Sequence, residues 1–143
     1  MDYTGDFART QSYLDGLISP LQHRHTRKLS DDWRFYAGTC QAEAVDYDDT
    51  DWPLVQIPHD WSIEGELSNR HPSSGSGGWV QTGIVWYRKS FDVPDESIGR
   101  KFSILFDGVS MNSKVWINGH FLGNHVYGFT PFAYDLTPWI VPG

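Results

Sequence analysis

Two glutamates lie close enough in the sequence to form a pair of catalytic carboxylates. Glu64 and Glu66 are separated by a single glycine, and in an extended segment the side chains of residues i and i+2 point to the same face. Such a pair could divide the roles of general acid and general base. An acidic segment interrupted by glycine is usually a solvated loop, however. We therefore expect no complete catalytic site in this chain.

Histidine and cysteine are the other residues that could do chemistry, as metal ligands or nucleophiles. The chain has six histidines and one cysteine, Cys40. The pairs His23/His25 and His120/His125 lack the ligand geometry of a standard zinc site. Cys40 has no second cysteine with which to form a disulfide or a metal cluster. We expect neither a metal nor another cofactor.

The chain is acidic and rich in aromatic side chains. Its 143 residues include 11 Lys and Arg against 18 Asp and Glu, a formal charge of 11 − 18 = −7 at pH 7. Negative charge repels phosphate groups, which argues against nucleic acid and anionic membranes as partners. Aromatic residues make up 15% of the chain, and most of them are expected to pack in the core of a β-rich fold.

The sequence leaves the cellular compartment open. No stretch of 18 apolar residues is present, so no membrane-spanning helix is predicted. Residues 1–10 are polar and acidic and lack the positive start and apolar run of a secretory signal peptide. A chain with one cysteine suits a reducing compartment, but a periplasmic protein without disulfides would look the same. Cytoplasmic and periplasmic locations are both compatible with the sequence.

Short apolar runs separated by turns predict an antiparallel core over residues 83–136. The dipeptide Asn118-Gly119 is typical of a type I′ hairpin turn, which needs positive φ at both central residues. No helix long enough to connect parallel strands interrupts these runs. This favours an all-β antiparallel sandwich of the jelly-roll, galactose-binding-domain-like type. The predicted strands cover residues 84–93, 101–107, 114–118, 120–126 and 133–136.

The chain divides into a short extension and one domain. Residues 1–28 are predicted to be a non-β extension or linker, with apolar residues at helical spacing before Pro20. Residues 29–143 are predicted to form the sandwich. Because the sequence stops directly after a turn, we expect this domain to be truncated at its C-terminal end.

Two segments inside the domain are predicted to be loops. The acidic run 46–51 has the composition of a solvated loop. The segment 58–83 is longer than about 15 residues, and a loop of that length in a compact domain is usually functional or disordered. Because it carries Trp61 and Trp79, we favour a functional, partly packed loop.

From Leu29 onward the sequence resembles a known family in the order and spacing of its motifs. The motifs are Trp33-x-Phe35, Pro58-His59-Asp60-Trp61, Trp86-Tyr87-Arg88-Lys89, Phe106-Asp107-Gly108-Val109, Val115-Trp116-Ile117-Asn118-Gly119, Pro131-Phe132 and Asp135-Leu136-Thr137. Together they resemble the N-terminal domain of glycoside hydrolase family 2, and the second and third motifs are most like the β-galactosidase branch. The resemblance covers residues 29–143.

The resemblance implies a jelly-roll, sugar-binding-like domain that precedes an immunoglobulin-like sandwich and a TIM barrel. In such enzymes two glutamates of the barrel perform the hydrolysis, and a barrel of about 250 residues has no room in this chain. The implied function is a non-catalytic domain that buttresses the barrel and contributes to the subsite for a terminal β-linked sugar. The implied partners are carbohydrate and the two downstream domains. A stand-alone carbohydrate-binding module and an inactive fragment remain as alternatives.

The resemblance also implies candidate sugar-contacting residues. In the β-galactosidase branch two loops reach over the barrel mouth and contact galactose hydroxyls, and they correspond here to residues 68–74 and 124–130. Side chains that donate or accept hydrogen bonds in fixed directions suit this role. The candidates are Asn69, His71, His125, Tyr127 and Asp60.

Each candidate also has a structural interpretation, and two of them depart from the family pattern. Some relatives carry an asparagine shortly before the proline that matches Pro72, where this chain has His71 next to it. Some place an aspartate near the position of Tyr127, whose phenol is neutral at pH 7. Galactose specificity is therefore not implied for this chain. Asp60 and His59 could instead hold the loop that begins at Pro58.

Overall fold

The computed structural model describes residues 25–141. The predicted N-terminal helical segment and His23 lie outside the described residues. Within the described part, every strand pairing is antiparallel, and the only helical elements are short 3-10 turns. No helix there is long and apolar enough to cross a membrane. The strands are β1 (Trp33–Ala37), β2 (Leu54–Val55), β3 (Val85–Arg88), β4 (Ser103–Phe106), β5 (Ser113–Ile117), β6 (His120–His125) and β7 (Phe132–Asp135).

These strands form one three-stranded sheet and two strand pairs. The sheet has the order β2-β1-β3, and the pairs are β4-β7 and β5-β6. Strand β4 alternates between half-buried and exposed residues, with Ile104 and Phe106 turned inward and Leu105 turned outward. This alternation is the pattern of a sheet with one face on the core. The all-β sandwich of jelly-roll type predicted from the sequence is confirmed.

The hairpin between β5 and β6 forms where the sequence predicts it. Asn118 and Gly119 both have positive φ, 47° and 77°, as a type I′ turn requires, and Ile117 pairs with His120 across the turn. The register shifts by one residue between Val115 and Trp116, which marks a β-bulge.

The third strand is shorter than predicted. The apolar run 84–93 suggests a long strand, but β3 ends at Arg88. Its partner β1 begins at Trp33, and the ladder between them closes at the Arg34–Arg88 pair. A strand lasts only as long as it has a partner, so the residues after Arg88 leave the sheet.

The core is made largely of half-buried aromatic rings. In the described residues only four hydrophobic residues are buried, namely Ala42, Trp52, Val93 and Leu136. Stacked rings supply further contacts. Trp86 of β3 lies 5.6 Å from Trp116 of β5 and so joins the three-stranded sheet to the β5-β6 pair. Phe106 lies 4.9 Å from Phe132, its cross-strand partner within the β4-β7 pair. Both distances are typical of favourable ring pairs. The aromatic content therefore serves mainly the packing of the sandwich.

Candidate functional site

Asp60 serves the backbone of its own loop. Its carboxylate accepts hydrogen bonds from the backbone N–H of Ser62 at 3.1 Å and from the Ser62 hydroxyl at 2.5 Å. Asp60 thereby caps the 3-10 turn Trp61–Ile63, because the first N–H groups of a helical turn need an acceptor. The structure thus gives Asp60 a structural role, and its candidate sugar contact stays a prediction.

His59 joins two other polar side chains at the start of the long loop. Its Nδ1 lies 2.7 Å from the Tyr87 hydroxyl and its Nε2 lies 2.9 Å from Glu64 Oε1, while the edge of its ring meets Phe35. Burial, together with the negative charges of Glu64 and Asp60, raises the pKa of Tyr87 to about 12. Tyr87 therefore stays a neutral phenol over the physiological range.

The contact between His59 and Glu64 is relevant to the possible catalytic pair of Glu64 and Glu66. Glu64 pairs with His59, and its side chain is 58% exposed. Glu66 is exposed as well. A carboxylate that is solvated and bound to a histidine does not have the paired, shielded setting of a glycosidase acid. The geometry gives no support for these two glutamates as a catalytic pair, and the expectation of no complete catalytic site stays a prediction.

The distal part of the long loop folds back on itself. Backbone N–H groups of Ser68 and Trp79 donate to the carbonyls of Trp79 and Ser74, each at 3.0 Å. His71 Nε2 lies 3.1 Å from the Glu66 carbonyl, and His71 is half-buried. The loop is therefore partly packed, as predicted. Asn69 is exposed.

The second candidate loop, residues 124–130, exposes an apolar surface. The ring of His125, at the start of this loop, stacks on Phe132 at 4.2 Å, and its Nε2 lies 2.9 Å from the Thr130 hydroxyl. The rings of Tyr127 and Phe129 meet edge to face at 5.7 Å. Tyr127 is 59% exposed and Phe129 is 84% exposed. Two of the predicted candidates, His125 and Tyr127, thus lie in one ordered loop.

A neighbouring loop holds this surface in place. The backbone N–H of Asn112 donates to the Val126 carbonyl at 3.1 Å. A Cβ atom at Gly128 would lie 3.2 Å from the Met111 backbone nitrogen, closer than ordinary van der Waals contact, so glycine lets the two loops approach closely. We call the exposed set Met111, Val126, Tyr127 and Phe129 the aromatic tip.

The aromatic tip contains residues that the sequence alone does not single out. Met111 and Phe129 are 70% and 84% exposed, whereas apolar residues of these types usually lie inside. No sequence pattern marks them, because nothing in the spacing distinguishes an outward phenylalanine from a core one.

The structure does not join the two candidate loops. Among residues 25–141, no hydrogen bond connects the segment 68–74 with the segment 124–130. A search of the same residues also finds no group of three or more side chains that could hold a metal ion.

Comparison with known proteins assigns the family. The family model described as "Glycosyl hydrolases family 2, sugar binding domain" matches residues 75–143. Over these residues the chain matches the sugar-binding domain of glycoside hydrolase family 2, and the resemblance noted in the sequence is confirmed.

The relatives include enzymes named for two different sugars. "Beta-galactosidase BoGH2A" of Bacteroides ovatus is 46% identical over 87% of this chain and 14% of its own length. A "Putative beta-glucuronidase" of Formosa agariphila is 43% identical over 67% of this chain and 9% of its own length. The structure of a "beta-glycosidase from Bacteroides vulgatus" superposes with a TM-score of 0.81 at 41% identity, covering 84% of this chain and 16% of that one. The chain thus spans less than a fifth of the length of each of these three relatives.

Proposed function

We propose that this chain is the N-terminal, non-catalytic domain of a β-galactosidase-like glycoside hydrolase. In that enzyme it packs beside an immunoglobulin-like domain and a catalytic barrel, and it completes the subsite for the terminal β-linked sugar. On this proposal residues 29–143 belong to the domain, whose sandwich continues beyond them, and residues 1–28 are an extension or linker. The catalytic glutamates lie in the barrel.

The observation that carries the proposal is the aromatic tip. An ordered loop that exposes Tyr127 and Phe129 leaves apolar area in water unless a partner covers it. Asn124 and Thr130, which flank this loop in the sequence, are exposed and carry polar groups. An apolar plate with a few directed polar groups is the usual chemistry of a ligand or domain contact.

The composition of the aromatic tip supports a neutral sugar. Neither residues 107–112 nor residues 124–131 contain a lysine or an arginine. A uronate carboxylate is best recognised by such a cation, so the tip suits a galactoside-like sugar better than a glucuronide.

The test uses an expressed polypeptide in which this chain is followed by its downstream domains. We expect Tyr127→Ala and His71→Ala each to lower kcat/KM for nitrophenyl β-galactoside about tenfold, a loss typical of one or two weakened sugar contacts. The matched control is Phe121→Ala, which removes an aromatic ring that is 55% exposed near the opposite end of β6. The melting temperature of each variant checks that the domain still folds.

Unchanged kinetics of both variants on every glycoside tried would contradict the subsite role. Calorimetric binding of methyl β-galactoside to the 143-residue chain alone, with no hydrolysis by any longer polypeptide, would favour the stand-alone module instead.

A further inference from the structure

A groove of about 460 Å³ lies across the three-stranded sheet, where Leu54, Arg34 and Arg88 stand side by side on β2, β1 and β3, outside the candidate sugar loops. Its size falls in the range of sites for small ligands. Charged side chains dominate its wall, with one leucine among them. The lining residues are Asp32, Arg34, Asp49, Leu54, Arg88, Lys89 and Ser90.

Two arginines lie side by side in the lining of this groove. Arg34 and Arg88 are direct cross-strand partners on β1 and β3, an arrangement of like charges that is unfavourable without a counter-charge. Asp49 supplies it, with carboxylate oxygens 3.4 Å from Arg34 Nε and 2.7 Å from Arg88 Nη1. Asp49 belongs to the acidic run predicted to be solvated, but it is half-buried because these arginines bind it.

The lining keeps a net positive charge after this pairing. Three cations, Arg34, Arg88 and Lys89, stand against the carboxylates of Asp32 and Asp49, so the balance is 3 − 2 = +1. The whole chain, by contrast, carries −7. A cleft lined with positive charge focuses the electrostatic potential of the protein. Such a groove therefore attracts small anions even though the protein as a whole is acidic.

The cations also have donor hydrogens left over. Arg34 uses Nη1 for the carbonyls of Thr50 and Trp52, and its Nη2 has no hydrogen-bond partner among residues 25–141. Lys89 Nζ donates once, to the Asp31 carbonyl at 2.6 Å, and an ammonium has three donors. An incoming oxyanion could accept several charge-assisted hydrogen bonds.

We propose that this groove binds a small oxyanion, the carboxylate or sulfate group of an acidic sugar. The guanidinium donors and the Lys89 ammonium hold the oxyanion, and Leu54, which is 58% exposed, offers an apolar contact for a ring. The groove shares no residue with the aromatic tip. The proposal that it binds an oxyanion therefore does not depend on the function proposed for the tip.

The groove is tested on the 143-residue chain by following backbone amide resonances of β1 and β3 during titration. The probes are sodium glucuronate, sodium sulfate and glucose, all at one fixed ionic strength because surface electrostatics are screened by salt. We expect saturable shifts with glucuronate and none with glucose. Saturation by sulfate alone would support the groove and assign it to a free oxyanion.

Three variants make the test specific. Lys89→Gln removes a cation that contributes one backbone contact to the fold, and we expect it to weaken glucuronate binding about fivefold. Asp32→Asn removes a lining carboxylate at a residue with φ 54°, a conformation that asparagine tolerates, and should strengthen binding about twofold. Lys114→Gln, on β5 outside the groove, should change nothing.

Equal shifts with glucose and glucuronate would overturn the proposal. So would the absence of saturable shifts with both anions, or equal affinities in wild type, Lys89→Gln and Asp32→Asn. Amide spectra and melting temperatures of the variants show whether each one keeps the fold.

Discussion

His59 illustrates how a single side chain can be recognised from the sequence while its role is not. The motif around Pro58 indicates either sugar contact or a structural tie. The structure shows the tie, since both ring nitrogens of His59 have polar partners, Tyr87 and Glu64. Nothing in the sequence reveals that Tyr87 lies within reach, because the two residues are 28 positions apart.

The high pKa of Tyr87 predicts a pH dependence of stability. Burial and two nearby carboxylates raise this pKa from 10.0 to about 12. The folded state therefore favours the protonated phenol, so its contribution is complete below pH 10 and is lost as the pH rises through about 12. We expect the unfolding free energy of the wild type to fall more steeply above pH 10 than that of Tyr87→Phe, in urea titrations at several pH values.

The cause of that pKa can be checked separately. Removing one of the two negative charges with Glu64→Gln should lower the pKa of Tyr87 toward its ordinary value, as seen in the ultraviolet absorbance of tyrosinate. Parallel stability curves for wild type and Tyr87→Phe would contradict this account of the residue.

At the scale of elements, the sequence predicts strands well where local chemistry decides them. The hairpin at Asn118-Gly119 follows from backbone φ preferences alone, and it forms in the predicted place. The end of β3 could not be predicted, because it depends on how far the partner strand β1 extends. The apolar run alone carries no information about that partner.

The hairpin turn gives a prediction about stability. Gly119 has φ 77°, and a side chain there would also lie 3.3 Å from Val45 Cγ2. We expect Gly119→Ala to lower the unfolding free energy by about 2 kcal/mol, from backbone strain plus the close contact. Urea denaturation measures this loss.

Gly99 offers the matched control for that substitution. Its φ is 80°, but a Cβ atom added there would meet no other atom within 4 Å, so Gly99→Ala should cost about 1 kcal/mol from backbone strain alone. If Gly119→Ala costs no more than Gly99→Ala, the contact with Val45 contributes nothing.

At the scale of the whole molecule, more hydrophobic residues are exposed than are buried. Fifteen large hydrophobic residues are exposed in the described residues, against four hydrophobic residues that are buried. Scattered exposed residues are ordinary, but Val126, Tyr127 and Phe129 of the aromatic tip lie in one short loop, and the rings of Tyr127 and Phe129 are in contact. A domain that packs beside others in a longer enzyme would expose such a surface when considered alone.

The sequence predicts the fold class and the family of the molecule better than it predicts the features of its surface. The pattern of strands and turns indicates a β-sandwich, and the spacing of the motifs indicates the family. Both predictions are confirmed. The outward placement of Phe129 and the cationic groove could not be predicted. Each arises from loops and strands that are distant in sequence and meet only in the fold.

The proposed function requires that this chain contribute to a glycosidase without holding the catalytic carboxylates. The direct measurement is hydrolysis of nitrophenyl β-galactoside and nitrophenyl β-glucuronide by the 143-residue chain between pH 5 and 8. We predict no turnover above the buffer rate, and the same for Glu64→Gln and Glu66→Gln. Turnover by the wild-type chain that either substitution abolishes would contradict the claim.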